Sequence, residues 1–159
     1  GDLSEANDSV FWKEIAIPLA PDPENPMKMT ISPDGLLPGS RNAVTYYKNI
    51  KSFGNVTLVE LQLETGRTHQ IRVHMLGIGH PLLGDTMYNP RACLKMSNRK
   101  EKKNTEGRIN NRNDCFKRAA LHAWKLIFCH PFTDEIITLE APLPDDFCRF
   151  LNANEEEKT

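Results

Sequence analysis

The alternation of apolar and polar side chains predicts a β-hairpin in the first half of the chain. In residues 56–64, Val59, Leu61 and Leu63 alternate with charged or amide side chains. This period of two is typical of a strand with one buried face. A β-prone segment at 43–50 precedes it, and a turn at 53–55 separates the two. We therefore expect an antiparallel pair.

A helical period replaces the alternation immediately afterwards. Apolar residues recur at i, i+4 and i+7 of the segment 69–78, namely Ile71, Met75 and Ile78. This spacing predicts a helix with one face toward the core. Thr68 is placed to be its N-cap and Gly79 to be the residue after its C-cap.

The rest of the chain predicts shorter elements. Six prolines between residues 15 and 40 indicate an irregular connection with a short strand near Met27–Ser32. The segments 119–129 and 136–141 read as a second hairpin, and a final helix opens at Pro144 and Asp145. Its apolar positions are i, i+3 and i+4: Phe147, Phe150 and Leu151.

Length and composition fit one domain. The 159 residues are 39% hydrophobic, which supports a modest core. We divide the chain into a polar N-terminal segment 1–14, a body 15–151 that contains a hydrophilic basic insertion at 95–114, and an acidic tail 152–159. No apolar run approaches the length of a membrane helix and no export signal is present, so we expect no membrane partner and a cytoplasmic location, with an organelle as the alternative.

Cysteine usage narrows the chemistry. The four cysteines, at 93, 115, 129 and 148, form no C-x-x-C pair, which excludes a zinc ribbon or a thioredoxin motif. Without an export signal, reduced thiols are expected.

Charge is distributed unevenly. Residues 91–118 hold ten Lys or Arg and three Asp or Glu, a net +7, whereas the remaining residues carry ten and eighteen, a net −8. Such asymmetry is typical of a segment that binds a polyanion, although a solvated loop explains it equally well. If the segment binds a polyanion, its contacts include Lys100, Lys102 and Lys103.

The residues with the most chemical potential lie in 65–88, TGRTHQIRVHMLGIGHPLLGDTMY. Arg67 and Arg72 stand near the positive end of the predicted helix, where a cation is unfavourable unless an anion approaches it. The alternative is that both side chains point to solvent. His69 and His74 are five residues apart, about 140° around a helix, so they do not form a metal pair. No G-x-S-x-G elbow supports a hydrolase.

Two blocks of sequence carry a resemblance. T-G-R-T-H-Q-I-R-V-H, followed by G-H-P-L-L-G-D-x-x-Y, resembles the signature of RluA-type RNA pseudouridine synthases. A second block, L-H-A-W-K-L-I-F-C-H-P-F-T and then E-A-P-L-P-D-D-F, is similar to the C-terminal pattern of that family. The resemblance extends over about residues 15–151, and the insertion at 95–114 departs from it.

The resemblance implies a fold and an activity. The fold is α+β, with a mixed, mostly antiparallel sheet flanked by helices and loops, of which this chain is the C-terminal part. The activity is the isomerisation of uridine to pseudouridine in rRNA or tRNA, without metal or organic cofactor. Members use a nucleophilic aspartate in an H-R-L-D segment and a stacking tyrosine, both upstream of the part matched here. No aspartate of this chain stands in that context.

Site residues follow from the same resemblance. Arg72 matches the arginine that pairs with the nucleophilic aspartate, so in this chain we expect it to be exposed or paired with a substitute anion. Arg67, His69 and Gln70 match positions that shape the loop or contact RNA. Ile71 and Leu76 are candidates for the apolar wall of the uracil pocket, with ordinary core packing as the alternative. Asp85 is expected to anchor a turn.

Three hypotheses therefore remain open. The chain is part of an enzyme and needs an N-terminal portion for activity; or it is an RNA-binding remnant without chemistry; or it is an interaction domain with no role in RNA binding. Activity with an added N-terminal portion separates the first hypothesis from the second, and salt-dependent RNA binding separates the second from the third.

Overall fold

The computed structural model describes residues 11–90 and 116–155 of the chain. The strands are β1 (Lys13–Ala16), β2 (Leu19–Pro21), β3 (Met29–Ile31), β4 (Val44–Phe53), β5 (Val56–Leu63), β6 (Lys125–Cys129) and β7 (Ile136–Glu140); the helices are α1 (Gln70–Gly77) and α2 (Asp145–Glu155). These elements confirm the α+β class. All pairings among the described strands are antiparallel.

The predicted first hairpin is confirmed as β4 and β5, and β1 adds a third strand in the order β1-β4-β5. Gly54 opens its two-residue turn with φ 66°, a conformation that glycine adopts without strain. An irregularity between Asn49 and Lys51 shifts the register of β4. The sequence did not predict β1, which begins inside the segment 1–14 that we had read as polar.

Strand β5 contacts apolar clusters on both faces. Val59 and Leu61 pack on one cluster as the alternation predicts, and Val56 and Leu58 pack on another. Leu63, at the end of the strand, is 46% exposed, so the prediction that it faces the core is wrong.

The proline-rich region contains two short strands. β3 confirms the strand expected near Met27–Ser32, and it pairs with β2, which the sequence did not predict. Gly77 of α1 faces β3 so closely that a Cβ there would lie 3.0 Å from a methyl carbon of Ile31. The absence of a side chain at Gly77 therefore lets the helix approach the strand.

Helix α1 ends as predicted but begins differently. Gly79 has φ 84° and donates to the Leu76 carbonyl, while the His80 amide donates to the Met75 carbonyl. These two bonds are the Schellman arrangement. The N-cap is His69 rather than Thr68, and its side chain makes no capping bond.

The helix stripe is confirmed at the centre of the core. Met75 is buried against Ile15, Tyr47 and Leu82, with Ile71 and Ile78 packed beside them. The face of α1 that bears Val73 packs on a second cluster, which includes Tyr88.

The chain after residue 115 rejoins this body at the turn before Asp85. The Ala120 amide donates to the Leu83 carbonyl, and a Cβ at Gly84 would collide with the Arg118 carbonyl oxygen. In α2, Phe147 and Phe150 pack with Phe53 as the predicted apolar face requires.

The second hairpin is shorter than predicted. It is confirmed as β6 and β7, but β6 begins at residue 125 rather than 119, because 119–121 pack as an irregular segment against the body. The predicted tail also differs, since residues 152–155 continue α2. The basic insertion at 95–114 lies outside the described residues.

The described residues hold neither a membrane-spanning helix nor a grouped set of metal ligands. Neither α1 nor α2 has the length and apolar character needed to cross a bilayer. In the same ranges, no three His, Cys, Asp or Glu side chains are grouped as a metal site requires.

Candidate active site

The loop between β5 and α1 is held in place by Gln70. Its Oε1 accepts hydrogen bonds from the Arg67 amide and the Thr65 hydroxyl, both at 2.9 Å. Its Nε2 donates to the Val44 carbonyl at 2.9 Å and to the Thr45 hydroxyl oxygen at 3.0 Å. This buried amide therefore closes the loop and attaches it to β4.

Arg72 lies in the first turn of α1, and its guanidinium binds Asp85. Nε donates to Oδ2 at 2.8 Å, and Nη2 donates to Oδ1 at 2.7 Å. The Asp85 side chain is 1% exposed and that of Arg72 is 20% exposed. A bidentate pair of this kind fixes the plane of the guanidinium as well as its position.

Asp85 also organises the turn that follows it. Its Oδ1 accepts the backbone amides of Met87 and Tyr88, each at 3.1 Å. Burial acts to raise the pKa of Asp85, but the hydrogen bonds from Arg72 and from the Tyr88 and Met87 amides outweigh it, so the pKa is lowered. In turn, the hydrogen bond to Asp85 raises the pKa of Arg72. The pair is therefore ionised at neutral pH.

Tyr88 completes the group around Arg72. The Arg72 guanidinium carbon lies 4.8 Å from the centre of the Tyr88 ring, a cation–π contact. The Tyr88 hydroxyl lies 2.8 Å from Nδ1 of His69 and accepts the Met29 amide at 2.9 Å. His69 has a left-handed backbone with φ 55°, a conformation uncommon outside glycine.

His74 is a buried histidine behind the site. Its Nε2 lies 2.8 Å from the Ile17 carbonyl oxygen, and its Nδ1 lies 2.9 Å from the Thr45 hydroxyl. Burial lowers the pKa of His74, and the backbone hydrogen bond to Ile17 opposes this in part. Because Ile17 precedes β2 and Thr45 is in β4, His74 connects both to the helix as a neutral ring.

The sequence-predicted residues fall in different environments. Gln70 is buried and its amide is engaged inside the protein, which favours loop architecture over RNA contact. Arg67 is exposed, with Nε bonded to the Asn42 carbonyl at 3.2 Å. Ile71 packs on the core, whereas Leu76 is 40% exposed, so ordinary core packing is wrong for Leu76. Lys100, Lys102 and Lys103 lie outside the described residues.

The expectation for Arg72 needs a correction. We expected it to be exposed or to bind a substitute anion in this chain, but Asp85 supplies a carboxylate from the chain itself. Asp85 was correctly predicted to anchor a turn, and its second role was missed. This pairing could have been considered from the sequence, because a cation near a helix N-terminus favours a nearby anion and Asp85 follows Arg72 by only thirteen residues.

Comparisons with known proteins identify the family of the chain. Residues 15–76 match the family model described as RNA pseudouridylate synthase. Ribosomal large subunit pseudouridine synthase D of Haemophilus influenzae is 47% identical over 116 residues, which are 73% of this chain and 34% of the relative. The protein with the same description in Pasteurella multocida is 43% identical over 136 residues, 86% of this chain and 38% of the relative.

A solved structure shares the fold. Human RNA pseudouridylate synthase domain containing 4 aligns with a TM-score of 0.61 and 26% identity, over 91% of this chain and 56% of that one. The chain belongs to the RNA pseudouridine synthase family, and within it to the RluA type. It spans less than two fifths of the length of the two curated relatives above.

Proposed function

We propose that this chain contributes Arg72 to the active site of an enzyme that isomerises uridine to pseudouridine in ribosomal RNA. The observation that carries the proposal is the bidentate pair with Asp85, which holds one edge of the guanidinium. Nη1, on the other edge, has no hydrogen-bond partner in residues 11–90 and 116–155. The large-subunit RNA named for the bacterial relatives supports the choice of substrate.

The nucleophilic carboxylate would come from a further portion of the protein. The family resemblance implies an aspartate in an H-R-L-D segment, which these 159 residues do not contain. Placed against the open edge of Arg72, such a carboxylate would stay ionised and oriented, because a nearby guanidinium lowers a carboxyl pKa. The chain alone should therefore be inactive.

The hairpin of β6 and β7 supports the existence of such a portion. In the register of this pair, Leu126 lies opposite Leu139 and Phe128 opposite Ile137, so these four side chains form an apolar hairpin face. Leu126 is 57% exposed, Leu139 54% and Phe128 38%. An isolated two-stranded hairpin with an uncovered apolar face is marginally stable in water. We propose that the portion carrying the aspartate covers this face.

The activity test combines the chain with the corresponding upstream portion of the Haemophilus influenzae relative. Tritium release from labelled large-subunit rRNA transcripts measures turnover. We expect none from the chain alone and turnover from the combination. At a temperature at which the Arg72→Leu variant is still folded, we expect it to lose turnover but not RNA affinity. Turnover by the chain alone, or full activity in the Arg72→Leu variant, contradicts the proposal. RNA binding without turnover in the combination would instead indicate an RNA-binding remnant, and absence of binding an interaction domain.

The docking test uses two neighbouring residues of β6 that are equally exposed. Leu126 and Ile127 are each 57% exposed, but they point to opposite sides of the hairpin. Leu126→Lys places a charge on the apolar hairpin face and should weaken binding of the upstream portion, measured by calorimetry. Ile127→Lys is the matched control and should bind nearly as well as the wild type. Equal effects of the two variants would show that this face is not the docking surface.

A further inference from the structure

Tyr88 joins the elements that surround Arg72. Its backbone amide donates to Asp85, its ring lies under the Arg72 guanidinium, and its hydroxyl contacts both Met29 of β3 and His69 at the start of α1. The residue is only 8% exposed. The hydroxyl therefore links β3 to the start of α1, while the ring contacts Arg72.

The protons in this group can be assigned by elimination. The Met29 amide can only donate, so the Tyr88 oxygen accepts there at 2.9 Å. Tyr88 has a single proton to donate, and among the described residues the other polar atom at its hydroxyl is Nδ1 of His69, at 2.8 Å. Donation from the hydroxyl to Nδ1 gives this proton an acceptor, whereas donation from Nδ1 to the Tyr88 oxygen would leave the hydroxyl proton without an acceptor among the described residues. In the arrangement that satisfies both groups, Nδ1 is unprotonated. The proton of the neutral His69 ring is then on Nε2.

The surrounding charges favour the same state of His69. Burial lowers its pKa first, and the nearby Arg72 lowers it further, while Asp85 opposes them. A protonated His69 would place a second cation beside Arg72 and would lose the bond from Tyr88.

We propose that Tyr88 is a positioning residue with two separable actions. Its ring fixes the orientation of the Arg72 guanidinium, and its hydroxyl fixes His69 as a neutral imidazole that offers an Nε2–H donor. The helix start then presents one cation and one neutral donor side by side. The inference rests on the proposed function in one respect only, namely that the ligand of the His69 Nε2–H donor is an oxygen acceptor of the RNA.

Nitrogen NMR of the 159-residue chain tests both actions. At pH 7 we expect His69 to show an unprotonated Nδ1 and a protonated Nε2, and we expect a protected Nε–H signal from Arg72. Tyr88→Phe removes only the hydroxyl, so the His69 signals should shift to a mixture of tautomers, because the hydrogen bond that favours the Nε2–H tautomer is lost. The Arg72 signal should not move. Tyr88→Leu removes the ring as well and should change both.

His74 provides the internal control. It lies in the same helix with bonds to Thr45 and Ile17, so its signals should stay unchanged wherever the fold is intact. A wild-type His69 that is protonated on Nδ1 overturns the inference, and this measurement requires no variant. So does an unchanged His69 in a folded Tyr88→Phe protein. Because neither readout involves RNA or turnover, this failure is distinct from failure of the proposed function.

Discussion

Removal of the Arg72 side chain should destabilise this chain strongly. Arg72→Leu leaves Asp85, which is 1% exposed, as a carboxylate without its counter-charge. It removes two charge-assisted hydrogen bonds of 2.8 and 2.7 Å and the contact with Tyr88. Breaking a buried pair from one side costs about 3–5 kcal/mol, and the partial exposure of Arg72 favours the lower value.

The expected loss is large enough for thermal unfolding to detect. For a chain of this size, about 3 kcal/mol corresponds to a fall in Tm of about 6–12 °C. Differential scanning calorimetry at neutral pH measures it. The matched control is Lys48→Met, which breaks the 2.8 Å cross-strand pair with Glu60, whose side chains are 27% and 28% exposed. That pair should contribute at most about 1 kcal/mol.

A second variant separates the loss of the ion pair from other effects of the leucine substitution. Asp85→Asn removes the charge but keeps an oxygen for the Met87 and Tyr88 amides. If the two side chains are coupled, the double variant should lose less stability than the sum of the single variants, by about 0.5–3 kcal/mol. Additive losses, or a fall in Tm for Arg72→Leu no larger than that for Lys48→Met, would refute the reasoning.

Three further predictions concern other parts of the chain. Gly84→Ala should lower the free energy of unfolding in urea more than Gly35→Ala does. The two glycines have nearly the same φ, 70° and 71°, but only a Cβ at position 84 would meet the Arg118 carbonyl oxygen. Equal losses of stability would contradict the close approach of Arg118 to Gly84. Stability should fall as pH drops below about 6.5, because the folded-state pKa of His74 is lowered and the unfolded chain binds more protons there. His74→Asn should reduce this fall in Tm, measured from pH 7 to 5. An unchanged dependence of Tm on pH would exclude His74 as the cause. Neutralising the insertion lysines Lys100, Lys102 and Lys103 should reduce the salt dependence of RNA binding, measured by filter binding. If the salt dependence does not change, only the solvated-loop interpretation remains.

Local patterns in the sequence were sufficient to predict much of the fold. The alternation in 56–64 and the spacing of Ile71, Met75 and Ile78 encode a strand and a helix directly, because each period requires only neighbouring residues. Gly79 marked the helix end for the same reason. By contrast, β1 and β2 are four and three residues long and exist because β4 and β3 pair with them.

The candidate active site was likewise predictable from the sequence only in part. The sequence indicated Arg72 and an approaching anion, because a cation near a helix N-terminus is locally unfavourable. It did not identify the anion as Asp85, nor the position of Tyr88 between Arg72 and His69. Those contacts depend on how the turn at 82–88 folds back onto α1. Only the tertiary structure decides such a pairing, since partners thirteen and nineteen residues apart share no local period.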